Sequence, residues 1–518
     1  MKSPIGVIAA GHTLTAEAAE EMLRAGGNAY DAVLSGMCAA FATEPVLASP
    51  GGGGFLLAQP ASAAARLYDF FVHTPATRRP EAELDFYAFI ADFGTAQQEF
   101  HIGRGTVAVP GVIRGLFEIY RDLCRMPMRD IVSPALGYAR GGVAQTPFQA
   151  YLFDVIKATC LSTDAVRSIF ESPTAAGEPV REGEVLYQRE LADALEALAI
   201  EGDDLFYRGE IAAAIDEDMR DGGQITRHDL EGYRVERRRP LSVEYQGTQV
   251  LTNPPPSSGG VLIALGLKLA ESADLREHAF GSAGYIDLLA RIMQATARAR
   301  LESNTDSKSQ VLDETALLDP ALVRRYRDEI RRRAYSGRGT TQITVMDAAG
   351  NVASLTVSNG EGSGYVAPGT GIVMNNMLGE EDLNPYGFHL WPPAHRMTSM
   401  MAPTILRRRN GDVIATGSGG SNRIRSAILQ VLVNLIDRGM SLEDAVNAPR
   451  VHLEADLLSL EGGFEPELLQ GVLESYPNHR IWQERNMFFG GAHSCSRSGR
   501  AFAGAGDPRR GGVSVLVI

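Results

Sequence analysis

Ser336-Gly337-Arg338-Gly339-Thr340-Thr341-Gln342-Ile343-Thr344-Val345-Met346-Asp347 is the stretch on which the reading of this chain turns. A glycine-spaced linker ends in it, and a strand of alternating apolar and polar residues begins. Asp347-Ala348-Ala349-Gly350-Asn351 follows with the polar and glycine residues of a short hairpin loop. Val352-Ala353-Ser354-Leu355-Thr356-Val357-Ser358 then resumes the alternation. With Met346 opposite Val352, the pairing places Thr340 opposite Ser358. Two threonines in a strand are commonplace. A threonine that starts a strand directly behind a Gly-Arg-Gly linker, with a hydroxyl across from it, suggests a nucleophile released by backbone scission.

At 518 residues the chain is long enough for a sizeable core and would ordinarily divide into two or three domains. Hydrophobic residues at 44% and charged residues at 22% are the values of a soluble globular protein, with no apolar run of spanning length. Met1 to His12 is too poor in apolar residues for a signal peptide, which points to a cytoplasmic protein. A net charge of −14 opposes phosphate-bearing partners, so neither nucleic acid nor an anionic membrane surface is expected. The basic runs Arg237-Arg238-Arg239 and Arg331-Arg332-Arg333 read as solvated faces, the second at the end of a helix from Arg324 to Arg333. Cys38, Cys124, Cys160 and Cys495 are far apart and form no CxxC, which leaves a zinc ribbon or redox pair unsupported.

Near the N-terminus, Thr13 or Thr15 can cap a helix ending at Gly26-Gly27. Asn28 to Phe41 follows as a second helix, apolar on most sides and therefore buried. Gly51-Gly52-Gly53-Gly54 lacks the Gly-Lys-Ser/Thr of a phosphate loop and precedes a strand, so it reads as a tight turn. Residues 112 to 200 are mostly helical, and 204 to 229 give further helices. Strands resume at Leu241 to Tyr245 and Thr248 to Thr252, and Pro254-Pro255-Pro256-Ser257-Ser258-Gly259-Gly260 is a stiff segment opening a helix from Val261 to Ala270. Gly379-Glu380-Glu381-Asp382 is an acidic turn with the wrong spacing for calcium and the composition of a solvated loop.

A strand from Asp412 to Thr416 runs into Gly417-Ser418-Gly419-Gly420-Ser421-Asn422, and the stripe Ile424, Ile428, Val431, Leu432, Leu435, Ile436 marks the helix behind it. Strand, glycine turn and helix N-terminus together offer unpaired backbone N–H groups, the elements of an oxyanion site.

Hairpin, acidic turn, Ser399 segment and glycine turn, in this order, resemble the γ-glutamyltranspeptidase family of N-terminal-nucleophile hydrolases. Asn375-Asn376, Pro403-Thr404 and Gly417 to Arg423 are similar to that family's later motifs. Gly26-Gly27-Asn28-Ala29, Gly51 to Phe55, Val109-Pro110-Gly111 and Pro254 to Gly260 are similar to its earlier ones. The resemblance implies an α/β fold, a four-layer αββα sandwich, made as a single-chain precursor. It cuts itself between Gly339 and Thr340 into a large subunit, 1–339, and a small subunit, 340–518, which pair as a heterodimer able to form a dimer of heterodimers.

The resemblance also implies roles. Thr340 is the nucleophile and its freed amine the base; backbone amides near Gly420 and Ser421 hold the oxyanion. Thr341 buttresses the nucleophile, Ser358 orients its hydroxyl, Glu380 takes the substrate's α-ammonium in place of the family's aspartate, and Ser399 takes the α-carboxylate. No cofactor and no metal are implied; the partners are a small amide or peptide donor and water or an amine acceptor. Departures bear on substrate. The family's arginine for the α-carboxylate is replaced by Phe71, the residue after it by Val72, and the second serine of a pair by Met400. A histidine after the two threonines is Gln342, and an asparagine that contacts the glutamyl group falls at Gly360. Either another cation serves, with His73, Arg78, Arg104 and Arg396 as candidates, or the donor is not a plain glutamyl group. The sequence thus supports a γ-glutamyltransferase-like amidohydrolase first, an acylase for another acyl group such as glutaryl second, and an uncleaved binding protein on the same fold third.

Overall fold

The computed structural model describes residues 3–92, 97–273, 275–303, 340–384 and 387–518. The junction before Thr340 and the expected helix from Arg324 to Arg333, with its basic run, lie outside the described residues.

Two antiparallel sheets form the centre. The first has seven strands in the order Val513–Val517, Gly6–Ala10, Thr341–Asp347, Val352–Ser358, Gly53–Gln59, Arg66–Phe70, Glu236–Arg238. The second has six, in the order Ala501–Ala505, Ser494–Ser498, Val413–Thr416, Thr404–Arg407, Thr248–Thr252, Leu241–Tyr245. Period-two alternation sends successive side chains of the first sheet to opposite sides. Ile8, Ala10, Leu56, Ala58, Ile343, Val345 and Leu355 join the helices Thr13–Arg24, Ala29–Thr43, Val112–Leu123 and Met128–Gly141 in one core. Val7, Ala9, Phe55 and Leu57 point the other way, into a core shared with the second sheet and the helices Ser258–Ser272, Ala283–Ser303 and Arg423–Ile436. The result is one αββα sandwich rather than the two or three domains that length alone suggests.

The central hairpin has the expected register. Met346 pairs with Val352 and Thr341 with Val357, which puts Thr340 across from Ser358. Asp347 closes the loop by accepting from Gly350 N and Asn351 N, each at 2.9 Å, and its other oxygen accepts from Ala29 N at 3.0 Å. Ala29–Thr43 is buried along its whole length because it lies between the sheet and neighbouring helices, as its all-round apolar composition requires. Asn28 and Asp31 start it with a reciprocal capping box. The preceding helix is capped by the imidazole of His12, which accepts from Leu14 N at 3.1 Å, and not by Thr13 or Thr15.

Arg237 and Arg239 are exposed, as a solvated face requires, and Arg237 also bonds Glu118 at 2.8 Å; Arg238, half-buried, departs from that reading by bonding the buried Asp69 at 2.8 Å. The turn Gly379 to Asp382 is not a solvated loop either, since Glu380 and Asp382 are buried. The four cysteines are free. No helix among the described residues is long and apolar enough to cross a membrane.

Candidate active site

Thr340 stands at the end of the strand Thr341–Asp347, on the side of the first sheet that faces the second. Neighbouring side chains on that side are polar: Gln342 Nε2 donates to Thr344 Oγ1 at 3.0 Å and Ser354 Oγ at 2.9 Å, and Gln342 Oε1 accepts from Thr356 Oγ1 at 2.6 Å. Ser354 Oγ continues across to the Thr416 carbonyl on the second sheet at 2.9 Å. The sheets are therefore joined near Thr340 by hydrogen bonds of fixed direction, where a purely apolar contact could slide.

A small solvent-open recess lies over Thr340, lined by Phe71, Ser358, Met377, Glu380, Leu383, Ser399, Met400, Met401, Ser421 and Ile424. Thr340, Ser358, Glu380, Ser399 and Ser421 thus converge from five separate segments. Gly420 sits one residue behind Ser421. Thr341 does not reach the recess: its Oγ1 points to the other face and donates to the buried Glu44 at 2.7 Å, beside Thr15 Oγ1 at 2.8 Å. It supports the strand that begins at Thr340 and lies outside the recess.

The glycine turn packs against Thr340 closely enough that a Cβ on Gly419 would collide with the Thr340 carbonyl oxygen. Gly420 has φ +121° and Ser421 φ +49°. Their backbone amides have no acceptor among the described residues, and the carbonyls behind them already accept from Arg423 N at 3.0 Å and Ile424 N at 2.9 Å to start the helix Arg423–Ile436. Backbone donors at a helix N-terminus favour negative charge, so this turn has the chemistry of an anion site. Ser421 keeps its left-handed backbone with help from Asp382, whose carboxylate accepts from Ser421 Oγ and, at 3.0 Å, from Asn422 Nδ2. Burial and the nearby Glu454 carboxylate push Asp382 up to about 6.

The opposite wall is set by the Pro-Ser-Gly segment. Ser257 Oγ, Ser258 N and Gly259 N all donate to the Ser399 carbonyl, at 2.7, 2.9 and 3.1 Å, while Ser399 Oγ accepts from Met401 N at 3.1 Å. Ser358 Oγ accepts from Gly360 N at 3.0 Å. A side chain at Gly360, which has φ +64°, would collide with Asn376 Oδ1 and Glu380 Oε1, so no side-chain contact can arise from that position. Glu380 is buried with Oε1 unbonded, and desolvation, then Glu361 and Asp382, hold its carboxyl well above the usual range.

The four candidate cations do not enter the recess. Burial, then Arg396, drives His73 down to about 3, so it is neutral. Arg78 stacks on Trp391 at 5.0 Å, and Arg104 pairs with Asp221 at 3.0 Å. Arg396 is buried behind Phe71, donating to its carbonyl and to the Arg234 carbonyl at 2.6 Å. Phe71 itself stacks on Phe55 at 5.5 Å. Sequence reading missed Arg510, whose Nη1 donates to the Thr340 carbonyl at 3.1 Å. The charged run Asp507-Pro508-Arg509-Arg510 beside an apolar terminal strand is the one local signal that could have drawn attention to it.

A threonine at a strand start, on a recess beside a glycine turn and within an αββα sandwich, is the arrangement of an N-terminal-nucleophile hydrolase. The chain belongs to the gamma-glutamyltranspeptidase family, whose family model matches residues 15–517. It is 31% identical over 495 residues to the acylase ACY 1 proenzyme of Pseudomonas sp. (strain V22), spanning 90% of this chain and 86% of the relative. It is likewise 31% identical over 499 residues to the glutathione hydrolase proenzyme of Escherichia coli (strain K12), spanning 90% and 84%. Among solved structures, the cephalosporin acylase from Bacillus halodurans superposes with a TM-score of 0.84 at 25% identity, covering 99% of this chain and 96% of that one.

Proposed function

We propose that this enzyme is a self-processing threonine amidohydrolase and acyltransferase that cleaves γ-glutamyl or related small amides through an acyl-enzyme on Thr340. In the precursor, Thr340 Oγ attacks the Gly339 carbonyl, the chain shifts from N to O, and water hydrolyses the ester to free the Thr340 amine. That amine, with an ordinary pKa of about 7.7–8.0, then takes the proton of its own hydroxyl. Oγ attacks the substrate carbonyl, the oxyanion accepts from the amides of Gly420 and Ser421, the amide C–N bond breaks, and the leaving amine departs with the proton. Water or an acceptor amine resolves the ester. A single oxyanion donor contributes about 3–4 kcal/mol to such a step.

The observation that supports this reading is that Thr340 and Ser421 line one recess, with the glycine turn of Gly419 and Gly420 packed against the Thr340 main chain. The names of the relatives, a glutathione hydrolase and an acylase, support it. The two halves would remain paired after cleavage, because the small subunit's strand Thr341–Asp347 is hydrogen-bonded to the large subunit's strand Gly6–Ala10. A denaturing gel of the purified protein tests it: two bands corresponding to residues 1–339 and 340–518 are expected, with release of p-nitroaniline from an acyl anilide. One lasting full-length band would favour an uncleaved binding protein. A second reading, an acylase for a non-glutamyl group, is favoured by Phe71 standing where the family has arginine.

A further inference from the structure

The recess over Thr340 has an unusual charge. Of the residues that line it, Glu380 is the one ionisable side chain with an acidic group, and no lysine, arginine or histidine is among them. Glu361 and Asp382 lie close enough to raise the Glu380 carboxyl further. The remaining wall is Phe71, Met377, Leu383, Met400, Met401 and Ile424, with neutral hydroxyls between. A substrate carboxylate entering here would meet low dielectric and a cluster of buried acids, with single hydroxyls such as Ser399 in place of a guanidinium. A substrate ammonium would instead favour the ionised form of Glu380, against the burial and the neighbouring acids that disfavour it, and would give Oε1, buried and unbonded, the hydrogen bond that it lacks.

We propose that the donor is an amide whose acyl chain ends in an ammonium group and carries no carboxylate, an ω-aminoacyl amide. Its nearest form is the 4-aminobutyryl amide, which is a γ-glutamyl amide with the α-carboxylate removed. The assignment rests on the reading of Thr340 as an acylated nucleophile. It goes beyond that reading in separating the two charges of a glutamyl group: this recess offers the positive one a carboxyl and offers the negative one no cation among the described residues that line it. A glutaryl group carries only the unanswered charge, and is the poorer fit for the same reason. Phe71 adds to this, since its ring occupies the wall while its carbonyl holds the buried Arg396 guanidinium outside the recess.

The processed wild-type protein should be assayed with the p-nitroanilides of 4-aminobutyric, γ-glutamic, glutaric and butyric acid. The 4-aminobutyryl anilide is expected to exceed each of the other three in kcat/KM by about tenfold or more, and Glu380→Gln should reduce its advantage over the butyryl anilide about tenfold. Should Glu380→Gln fail to fold, competition on the wild-type protein reads the same preference: propylammonium is expected to inhibit butyryl-anilide turnover at lower concentration than propionate. Faster turnover of the γ-glutamyl or glutaryl anilide, stronger inhibition by propionate, or a processed protein inert toward all four would overturn the assignment. A chain that never splits at Thr340 would overturn the underlying amidohydrolase reading instead.

Discussion

Arg510 Nη1 donates a 3.1 Å hydrogen bond to the carbonyl oxygen of Thr340, so a buried guanidinium rests against the main chain of the residue proposed as nucleophile. Burial, then Arg423, lowers Arg510 to about 10, which still leaves it charged at neutral pH. A cation beside the freed Thr340 amine disfavours the protonated amine and lowers its pKa. Replacing Arg510 by Met should therefore raise that pKa and move the acidic limb of the kcat/KM profile upward by about 0.5–1 pH unit, while Arg510→Lys should keep most of the effect. The pH profile with an acyl anilide measures the shift, and an unmoved limb in Arg510→Met would show that the guanidinium only holds the backbone.

Thr340→Ala is expected to leave a single full-length band and no detectable anilide turnover. Thr340→Ser should still split, because the hydroxyl and the future amine both remain. Splitting in the alanine variant, read on a denaturing gel, would remove Thr340 from the processing step.

Asp382 is predicted to act in the transition state. It holds Ser421, whose backbone φ is +49°, through the serine hydroxyl. Asp382→Ala should lower kcat about 10- to 100-fold with little change in KM, because misaimed oxyanion donors cost the transition state and not the bound substrate. Its carboxyl also carries a stability signature. The folded value of about 6 lies above the ordinary 3.8, so the protonated form stabilises the fold at pH below about 4 and this contribution is lost as pH rises through 6. The melting temperature of the wild type relative to Asp382→Asn should accordingly fall between pH 4 and 6 and level off above. A difference independent of pH would exclude the raised carboxyl.

Gly360→Ala combines a left-handed backbone with a collision against Asn376 and Glu380. A loss of about 1–3 kcal/mol is expected, along with weakened turnover of any substrate that uses Glu380. Thermal unfolding and anilide kinetics on the same preparation check both parts, and a variant as stable as the wild type would show that the turn can relax.

Much of this could be read from residue order because the signals are local. The hairpin from Thr341 to Ser358, the buried helix after Asn28 and the glycine turn before Arg423 each carry their period and their punctuation within a few residues. What escaped were contacts between distant segments. Arg510 meets Thr340 from 170 residues away, and nothing in either neighbourhood encodes the meeting. Glu380 and Asp382 read as solvated acids because three carboxylates in a row ordinarily are; Ser421 and Asn422, brought up by the other sheet's glycine turn, are what hold Asp382 inside. The same limit applied to Thr341, whose partner Glu44 lies at the far end of a helix almost 300 residues earlier, separated by 297 positions.

The hydrogen-bonded layer around Gln342 has a consequence for which of two identical side chains does the chemistry. Thr340 and Thr341 differ in little except parity: one faces the recess and the other faces Glu44. A slip of the strand by one position would exchange them, and the recess would still contain a threonine hydroxyl. That hydroxyl would belong to the second residue of the small subunit, removed from the amine that must take its proton. Gln342, bonded at once to Thr344, Ser354 and Thr356, admits only one of the two registers. Which threonine meets the recess is thus decided by counting along the strand, and a glutamine keeps the count.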